Sequence, residues 1–572
     1  MNVSDYILNF IANKGVTHIF GYQGTMIAYF VDAISRNSTI ENHSCYNEQG
    51  AAFAACGYAQ ASERCAVAYA TSGPGAVNLL SGVANAHFDS TPVIFITGQL
   101  NTYEYAGIEG LRQQGFQEID IVSMAKPITK YAVHVTDAYQ ACYEFEKAWY
   151  IANSGRKGAV LFDIPMNIQR EEIRPELIQH YKPKLKRTGI VDSAAIFSKA
   201  LNGSKRPLFL IGNGVSGDSK DKIVGYAEKY HIPIVTSLLQ RALLPDSHPL
   251  NFGFIGGAYG MRIANLLAAA KADLLVCIGV SLCTRQTGTK VNCFAKEASI
   301  LRVDCDKNVL QRRIKENEIS LCLGSEDFIN DIVNVIPTIN YENWFEVASA
   351  CREYCSEFDE QIPERYTNRI IQNISLLTQE GSAVVCDVGQ HMMWVAQSFS
   401  VKAGQKLLFS GGHGAMGFAL PAAIGAYYGS GTQSVCISGD GAFQMNIQEL
   451  QWIAREQIPI TIVVMNNHVL GMITQLQDDY FEGKHYGTAV HGGYLSPDFA
   501  AIAKAYGIDA YQVQSIDEIK KLSKLLNKMK PVLIEVKLSP DTKAYPKTHL
   551  GQAIYNQMPL MPDELLNKLL EL

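Results

Sequence analysis

Short apolar runs rich in Val, Ile and Phe recur along the chain and alternate with longer stretches of helix-like spacing. A strand that is apolar on both sides is buried on both faces, which is typical of parallel sheets covered by helices. The pattern therefore predicts an α/β fold of mainly parallel sheets flanked by helices. The predicted strands are Cys65–Thr71, Pro92–Thr97, Ala159–Ile164, Pro207–Ile211, Leu274–Gly279, Ser434–Ser438 and Ile460–Met465.

Two polar, proline-containing stretches divide this series of strands and helices. Lys182–Arg187 follows the first series, and Pro337–Trp344 follows the second. A chain of 572 residues has room for three to four domains at about 150 residues each. We predict three α/β domains and a short tail, at 1–180, 190–336, 360–540 and 541–572.

Composition narrows the class of protein further. Hydrophobic residues make up 47%, charged residues 18%, and the net charge is −6, which excludes a mainly disordered chain and gives no reason to expect a nucleic-acid partner. The 13 cysteines are scattered without a CxxC pair, which argues against a disulfide framework or a zinc site and favours the cytoplasm. The chain starts without a signal-peptide pattern and has no apolar run of about 18 residues, so we expect no membrane association.

The strongest chemical motif is Gly439-Asp440-Gly441, which directly follows a predicted strand. Glycines let the backbone turn sharply and approach a ligand closely, and Asp440 lies where α/β folds bind ligands, at the carboxyl end of a parallel strand. After 24 further residues, a second strand delivers Asn466-Asn467 to the same sheet edge. The intervening Ala442–Arg455 is predicted to be a helix whose first N–H groups face an anion. A carboxylate, an amide oxygen and phosphate oxygens together suit Mg²⁺.

A DG turn alone is a weak signal, but the complete pattern is specific. Its two glycines, aspartate, 24-residue spacing and paired asparagines between apolar strands resemble the cofactor signature of thiamine diphosphate (ThDP) enzymes. The resemblance implies that Asp440 and Asn467 are metal ligands and that the main-chain carbonyl of Val469 is the third protein ligand. The neighbouring positions implied to bind the cofactor are Gly439, Gly441 and Ala442.

A glutamate stands at the start of a small, apolar helix in the first block. Glu48 precedes Gln-Gly-Ala-Ala-Phe-Ala-Ala, so its carboxyl is expected to be poorly solvated and able to trade a proton near neutrality. Alone, such a residue is ordinarily a helix-dipole or capping residue. Together with Gly57–Ala59, Thr71–Gly75 and Asn78, however, it resembles the pyrimidine-binding domain of the acetolactate synthase branch. The resemblance implies that Glu48 activates ThDP at the ring nitrogen N1′ and that Gly73 contacts the cofactor.

Two further segments match the same family. The loop Val388-Gly389-Gln390-His391 resembles the diphosphate-side loop, which implies that Val388 and Gly389 line the cofactor and that Gln390 and His391 donate to the phosphates. Phe116-Gln117-Glu118 matches the family's FQE segment. There Phe116 lines the substrate channel and Gln117 is a candidate catalytic contact.

The segment Ser410–Gly417 resembles the one that holds the cofactor bent. The resemblance implies that Met416 separates the two rings and that the carbonyl of Gly414 accepts from the 4′-amino group, although residue type alone would favour core packing for Met416. His413 replaces a commonly apolar position. It is a candidate channel contact, as is Gln49, with plain packing as the alternative.

The middle block carries a G-x-G-x-x-G pattern that begins at Gly212 and Gly214. The dinucleotide fingerprint also needs an acid about 20 residues further on, at a strand end. Here that strand ends in Thr236-Ser237, so NAD binding is not predicted. The block instead resembles the central domain of acetolactate synthase, which holds FAD structurally, with Arg285 in the flavin-contacting loop. However, Ala258-Tyr259 stands where the family usually carries Met-His. Two alternatives for this block therefore stay open: it binds FAD, or it keeps only the vestige of an FAD site.

Two departures from the family fall on the substrate side. The family's QWQ segment has Leu476 at its centre, so a tryptophan that shapes the site for the second 2-keto acid is absent. The LPKD segment has Met166 in place of the lysine, which weakens binding of an anionic acceptor. Two acceptors therefore stay open: a 2-keto acid, or a nucleotide-linked keto sugar as in the carboligases that make branched sugars for surface polysaccharide.

The resemblance covers nearly the whole chain and implies a ThDP- and Mg²⁺-dependent carboligase. Such an enzyme decarboxylates pyruvate and transfers the two-carbon acetyl (hydroxyethyl) unit to an acceptor carbonyl. A non-ligating pyruvate decarboxylase or oxidase is a further alternative. In this family the pyrimidine and diphosphate domains of different subunits share one cofactor. A homodimer or homotetramer is therefore expected, with Glu48 and Asp440 meeting across the interface, and a regulatory subunit stays open.

Overall fold

The computed structural model describes residues 1–104, 108, 110–183, 191–523 and 529–572. Within these residues the chain forms three six-stranded sheets, all of whose strand pairs are parallel. The predicted boundary at Lys182–Arg187 falls mostly outside the described ranges. The α/β fold with three mainly parallel sheets is confirmed.

The first domain contains the strands β1 (His18–Gly21), β2 (Glu41–Ser44), β3 (Ala66–Ala70), β4 (Val93–Gln99), β5 (Tyr131–His134) and β6 (Val160–Pro165). Its helices are α1 (Val3–Asn13), α2 (Ala28–Arg36), α3 (Glu48–Ser62), α4 (Pro74–Phe88), α5 (Ile121–Ala125), α6 (Ala138–Asn153) and α7 (Met166–Gln169). The strand order is β2-β1-β3-β4-β6-β5.

The middle domain contains the strands β7 (Pro207–Ile211), β8 (Ile234–Thr236), β9 (Asn251–Phe254), β10 (Leu274–Ile278), β11 (Ser299–Asp304) and β12 (Ile319–Cys322). Its helices are α8 (Ser193–Asn202), α9 (Ser219–Tyr230), α10 (Arg262–Leu266), α11 (Thr284–Thr287), α12 (Lys307–Gln311) and α13 (Ser325–Ile332). The order is β12-β11-β10-β7-β8-β9.

The third domain contains the strands β13 (Ala383–Cys386), β14 (Lys406–Phe409), β15 (Ser434–Gly439), β16 (Ile460–Asn466), β17 (Asp509–Val513) and β18 (Val532–Lys537), in the order β14-β13-β15-β16-β18-β17. The helices before and within it are α14 (Glu342–Glu360), α15 (Tyr366–Ile374), α16 (Gln390–Ser398), α17 (Ala419–Ser430), α18 (Asp440–Phe443), α19 (Leu450–Glu456), α20 (Gly471–Tyr480), α21 (Phe499–Ala505) and α22 (Ile516–Ser523). The tail adds a two-stranded antiparallel pair and a helix, namely β19 (Lys547–Thr548), β20 (Gln557–Met558) and α23 (Asp563–Glu571).

The first and third sheets share one strand order. In each, the second strand of the domain lies at one edge and the fifth lies at the other. All seven predicted apolar runs form strands, three in the first sheet, two in the second and two in the third. Because the strands of each sheet are parallel, their carboxyl ends meet at one edge, where ligand sites of such folds lie.

The prediction of one continuous helix over Ala442–Arg455 is wrong. The chain forms the short α18, a 3₁₀ segment at Gln444–Glu449 and then α19. Asn446 leaves the helical region, with φ −134°. Its Nδ2 donates to the carbonyl oxygen of Gly417 at 2.8 Å and to Oε1 of Gln49 at 3.2 Å. Tertiary hydrogen bonds therefore override the local preference for a continuous helix.

Helices α3 and α17 cross with their backbones in direct contact. A Cβ on Gly57 would overlap the carbonyl oxygen of Ala422, and a Cβ on Gly425 would overlap that of Ala54. The buried side chains around this crossing form one hydrophobic core that the first and third domains share. The crossing therefore fixes the two domains against each other.

The C-terminal tail packs back over the middle and third domains. The guanidinium of Arg262 donates to the carbonyl oxygen of Gln557 at 2.9 Å, and Lys547 pairs with Asp479 on α20. All 13 cysteines are free thiols. Within the described ranges, no helix combines the length and apolar character needed to cross a bilayer.

Candidate active site

Asp440 lies at the carboxyl end of the central strand β15, where α18 begins. Its side chain is only 3% exposed, and burial raises the pKa of Asp440 to about 6, although the N–H of Gly441 lowers it in part. Its Oδ2 is buried without a hydrogen-bond partner among the described residues. A buried carboxylate oxygen without a partner is costly unless a cation or donor completes it, so Asp440 fits a metal ligand.

Asn467 follows the neighbouring strand β16 and is also buried. Its Nδ2 donates to Oε1 of Gln390 at 3.2 Å and to Oγ1 of Thr542 at 2.9 Å. These bonds orient the amide and leave Oδ1 with only a long contact, 3.4 Å, from the N–H of Val469. An amide oxygen and a carboxylate at adjacent strand ends are hard oxygen ligands of the kind Mg²⁺ takes. The donor set therefore fits the predicted metal site.

The positions on either side of Asp440 have no room for a side chain, which explains why both are glycines. A Cβ on Gly439 would lie 2.7 Å from Nδ1 of His391, and one on Gly441 would meet Leu470 and the hydroxyl of Tyr494, the latter at 3.2 Å. Met416 joins the same group, since its Cε lies 3.6 Å from that Cβ position on Gly441. The GDG turn and the predicted ring-bending segment are thus brought together. Ala442 is buried in α18 beside them.

Gln390 and His391 start α16, directly after Val388 and Gly389. Nε2 of Gln390 donates to Oε1 of Gln475 at 3.1 Å and to the carbonyl of Thr542 at 3.0 Å, so both amide hydrogens are used within the protein. Burial lowers the pKa of His391 to about 3, and its Nε2 accepts the N–H of Gly439 at 3.2 Å. In this structure His391 braces the GDG turn, whereas Gln390 is bonded to Asn467, Gln475 and Thr542. Their role as phosphate donors stays a prediction.

Asp387 is a site residue that the sequence analysis missed. It is buried at the end of β13 and accepts from the N–H groups of Gly417 (3.0 Å) and Ala419 (3.1 Å) and from the hydroxyl of Ser438 (3.2 Å). Burial raises its pKa to about 6. One carboxyl thus holds the loop after Met416 against the strand that leads to Asp440. An acid at the end of an apolar strand was the available signal.

Glu48 begins α3, whose N-cap is Asn47. It is 8% exposed, and its Oε2 accepts from Nδ2 of Asn78 at 2.9 Å. A Cβ on Gly75 would lie 3.0 Å from Oε1 of Glu48, so the glycine-rich start of α4 makes room for this carboxyl. Among the described residues a hydrogen bond reaches only Oε2 of this carboxyl, which leaves Oε1 to a ligand placed against it.

The FQE loop packs on the glycine-rich turn of the first domain. Gly73 has φ +61°, and a Cβ there would lie 2.8 Å from Cβ of Gln117, which itself has φ +64°. Phe116 is 77% exposed. Gln117 is therefore close to the turn that precedes α4, whereas Phe116 projects away from the packed core.

The remaining predicted channel residues lie on three different elements. Leu476 is 38% exposed on α20, between the buried Gln475 and the half-buried Gln477. Met166 is half-buried at the start of α7. His413 is exposed and stacks on Phe88 at 5.9 Å between ring centroids. Gly414, the next residue, has φ +73° with open space at its Cβ position.

The middle domain borders a cavity of about 940 Å³. It is lined by Gly214, Arg285 and Asp304 among others. Gly212 and Gly214 are required by a close approach of the backbone at Gly279, because a Cβ on either would overlap or crowd that segment. The G-x-G pattern thus has a packing reason of its own. A cavity of this size, lined by basic and acidic side chains, also fits a dinucleotide such as FAD.

Comparison with known proteins agrees with this geometry. Three family models match the chain: thiamine pyrophosphate enzyme N-terminal TPP binding domain at 1–124, central domain at 195–332 and C-terminal TPP binding domain at 387–536. The chain is 34% identical to acetolactate synthase 1, chloroplastic, of Oryza sativa over 93% of its length and 84% of that protein. It is 33% identical to the probable acetolactate synthase large subunit of Methanocaldococcus jannaschii (97% and 95%). Identity to acetolactate synthase isozyme 1 large subunit of Escherichia coli is 32% (96% and 96%).

Proposed function

The chain belongs to the thiamine pyrophosphate enzymes, in the acetolactate synthase large-subunit branch, and we propose how its own residues perform that family's chemistry. It is a ThDP-dependent carboligase that decarboxylates pyruvate and transfers a two-carbon unit. The observation that carries the proposal for its site is the pair of oxygen ligands at adjacent strand ends. Among the described residues, the buried Oδ2 of Asp440 lacks a partner, and Asn467 follows the neighbouring strand β16 with a single long contact at its amide oxygen.

Asp440, Asn467 and the carbonyl of Val469 would hold Mg²⁺, with the glycines of the GDG turn admitting the diphosphate. ThDP, when bound, supplies the electron sink for decarboxylation of a 2-keto acid. Glu48 would hold a proton at the aminopyrimidine ring nitrogen, because its carboxyl is buried and anchored through only one oxygen, to Asn78. Gln117, next to Gly73, is the candidate polar contact for the substrate.

For the acceptor, we propose a second 2-keto acid, since the relatives named above are acetolactate synthases. A second candidate, a nucleotide-linked keto sugar, is favoured by Leu476 and Met166. Leu476 is partly exposed and small, and Met166 supplies no cation for a small anionic acceptor. A bulky acceptor with its charge far from the reacting carbonyl needs neither the tryptophan nor the lysine.

The product spectrum decides between these acceptors. Purified protein is incubated with pyruvate, Mg²⁺, ThDP and FAD, and the carbon is followed by NMR. Rapid formation of acetolactate would establish the 2-keto acid acceptor. Pyruvate consumption that begins only after a keto-sugar nucleotide is added would establish the second candidate. Acetaldehyde or acetyl phosphate as the main product would contradict both.

We also propose that FAD occupies the cavity beside Gly214 and Arg285, in a structural role. The test is the flavin content of the purified protein, measured by absorbance and by fluorescence after denaturation. Arg285→Ala is expected to lower the flavin content, whereas Arg313→Ala, at an exposed position outside the lining of the cavity, is not. A wild-type protein that neither contains nor takes up FAD would make the cavity a vestige.

The active assembly is proposed to be a homodimer or homotetramer with Glu48 and Asp440 of different subunits at each cofactor. Glu48→Gln and Asp440→Asn chains, each inactive alone, would then recover activity when co-expressed. One of the two sites in a mixed dimer keeps both native residues, so about a quarter of wild-type activity is expected. A site built within one chain would give no recovery.

A further inference from the structure

A second cluster of metal-type ligands lies at the edge of the first sheet. His18 starts β1 and Glu41 starts β2, and the two are direct partners in the parallel register. His43 lies two residues after Glu41 on the same strand. Because side chains alternate along a strand, Glu41 and His43 share one face of the sheet, and His18 is on that face too. The register thus gathers two imidazoles and a carboxylate.

The distances between the ligand atoms suit one small ion. Nδ1 of His18 lies 3.0 Å from Nε2 of His43 and 3.6 Å from Oε2 of Glu41, while Oε1 of Glu41 lies 4.0 Å from Nε2 of His43. A tetrahedral Zn²⁺ with bonds of about 2.0–2.1 Å separates its ligands by about 3.3 Å. One ligand atom from each of the three residues lies within 4.8 Å of the other two, so small side-chain shifts would bring them to the corners of one face of such a tetrahedron.

A carboxylate behind His43 orients its ring. Oε2 of Glu456, at the end of α19, lies 3.3 Å from Nδ1 of His43, and the hydroxyl of Tyr428 donates to the same oxygen. A carboxylate oxygen at Nδ1 of His43 accepts a proton held there, which leaves Nε2 of the same ring facing the cluster. This is the usual outer partner of a metal-bound histidine.

The surroundings combine an apolar wall with one open side. The ring of Tyr428 lies 3.9 Å from that of His43 between centroids, and the ring of Phe20 stacks against His43 at 5.5 Å. Glu41 is 64% exposed. An ion can enter there and keep water as a fourth ligand.

We propose that His18, Glu41 and His43 bind one Zn²⁺ per chain. The site is structural, since it fastens the edge of the first sheet to α19 of the third domain through Glu456. The cysteine pattern argues against a zinc site built from cysteines. This cluster contains no cysteine, so that argument does not apply to it. Without an ion, one imidazole donates to the other across the 3.0 Å gap, and this hydrogen-bonded pair is the competing outcome.

The test is a zinc titration of the enzyme loaded with Mg²⁺ and ThDP, so that the Asp440 site is filled. Resident transition metal is first removed with a chelator selective over Mg²⁺, and its content is measured by mass spectrometry. Calorimetric titration with Zn²⁺ is expected to show one equivalent per chain and a raised Tm. Glu41→Gln, at an exposed position, is expected to weaken Zn²⁺ binding at least 10-fold, and Glu456→Gln 10- to 100-fold.

His180→Asn is the matched control, because His180 is an exposed histidine that pairs with Glu146 elsewhere in the first domain. It is expected to bind Zn²⁺ as wild type does. Absence of a stoichiometric zinc site in the wild type would overturn the proposal and leave the hydrogen-bonded imidazole pair. Unchanged zinc affinity in Glu41→Gln and Glu456→Gln would overturn it equally, since the ion would then lie elsewhere.

Discussion

Both carboxylate oxygens of Glu449 lie 3.2 Å from the backbone nitrogen of Tyr46, so the third domain anchors the loop that leads into α3. Glu48 follows two residues later. Glu449 is fully buried, and a Cβ on Gly50 would lie 2.5 Å from its Oε1. The position of the candidate proton-holding residue is thus set by a carboxyl that lies more than 400 residues further along the chain.

Replacing Glu449 is expected to change the pH dependence of stability. Burial raises the pKa of Glu449 from 4.5 to about 7. A carboxyl whose pKa is raised by folding favours the folded state when it is protonated. Its contribution to the free energy of unfolding is complete below pH 4.5 and is lost as the pH rises through 7, a change of about 3 kcal/mol. Glu449→Gln should match wild type at pH 5 and be more stable at pH 8. Urea unfolding followed by tryptophan fluorescence checks this. Exposed Glu346→Gln is the control, and parallel curves for wild type and Glu449→Gln would contradict the argument.

Glu48→Gln is expected to lower kcat by at least about 100-fold, because proton transfer by a positioned side chain contributes 10²–10⁴-fold. Binding of Mg²⁺ and ThDP, measured by calorimetry, should stay near wild type, since the metal ligands are untouched. Glu346→Gln, on the surface of α14, should change neither quantity. Wild-type turnover in the Glu48→Gln enzyme would show that Glu48 takes no part in the chemistry.

Asp440→Asn is expected to change stability and cofactor binding in opposite directions. The buried Oδ2 without a partner costs free energy in the cofactor-free chain, so the variant should unfold at a higher temperature without cofactor. Loss of the charge should weaken Mg²⁺–ThDP binding by about 2 kcal/mol or more, roughly 30-fold. Thermal unfolding with and without the cofactor measures both effects. A variant that still gains the full wild-type Tm increase would show that Asp440 is not the ligand.

The crossing of α3 and α17 should not tolerate any side chain. Gly57→Ala or Gly425→Ala places a Cβ against a backbone carbonyl, and overpacking of this kind costs about 1–3 kcal/mol or more. Gly225→Ala is the matched control, because Gly225 lies within α9 with open space at its Cβ position. It should stabilise the protein by about 0.5–1 kcal/mol. Equal thermal shifts for the three variants would refute the close-contact argument.

Leu476→Trp is expected to shift acceptor use toward small 2-keto acids. The larger ring narrows the site and adds apolar contact, and changes of this size are worth about 10- to 200-fold in kcat/KM. Competition between pyruvate and a bulkier acceptor, read out by NMR, measures the ratio. Leu177→Trp, exposed in the first domain, is the control. An unchanged ratio would place Leu476 outside the acceptor site.

The strands and the cofactor motifs could be predicted from the sequence, because continuous apolar runs and the GDG spacing are local patterns. Asp440 and Asn467 needed only the rule that parallel strands end at one edge. The helix over Ala442–Arg455 failed because Asn446 bonds to Gly417 and Gln49, which are distant along the chain. No local pattern carries that information.

Residues that position others were missed for the same reason. Thr542 contacts Asn467 from the C-terminal tail, and Gln475 is tied to Gln390 across 85 positions. Asp387 differs, since it stands directly before the predicted diphosphate loop and could have been considered. The residues proposed to bind the metal and the cofactor were thus visible in the sequence, whereas most of the residues that position them depend on tertiary contacts.

The glycine crossing of α3 and α17 also limits how the enzyme can move. With the two backbones in contact at Gly57 and Gly425, the first and third domains can neither slide nor rotate about that line without breaking their shared core. Any breathing that admits substrate must therefore be carried by parts outside the crossing, such as the FQE loop, α20 and the tail over it.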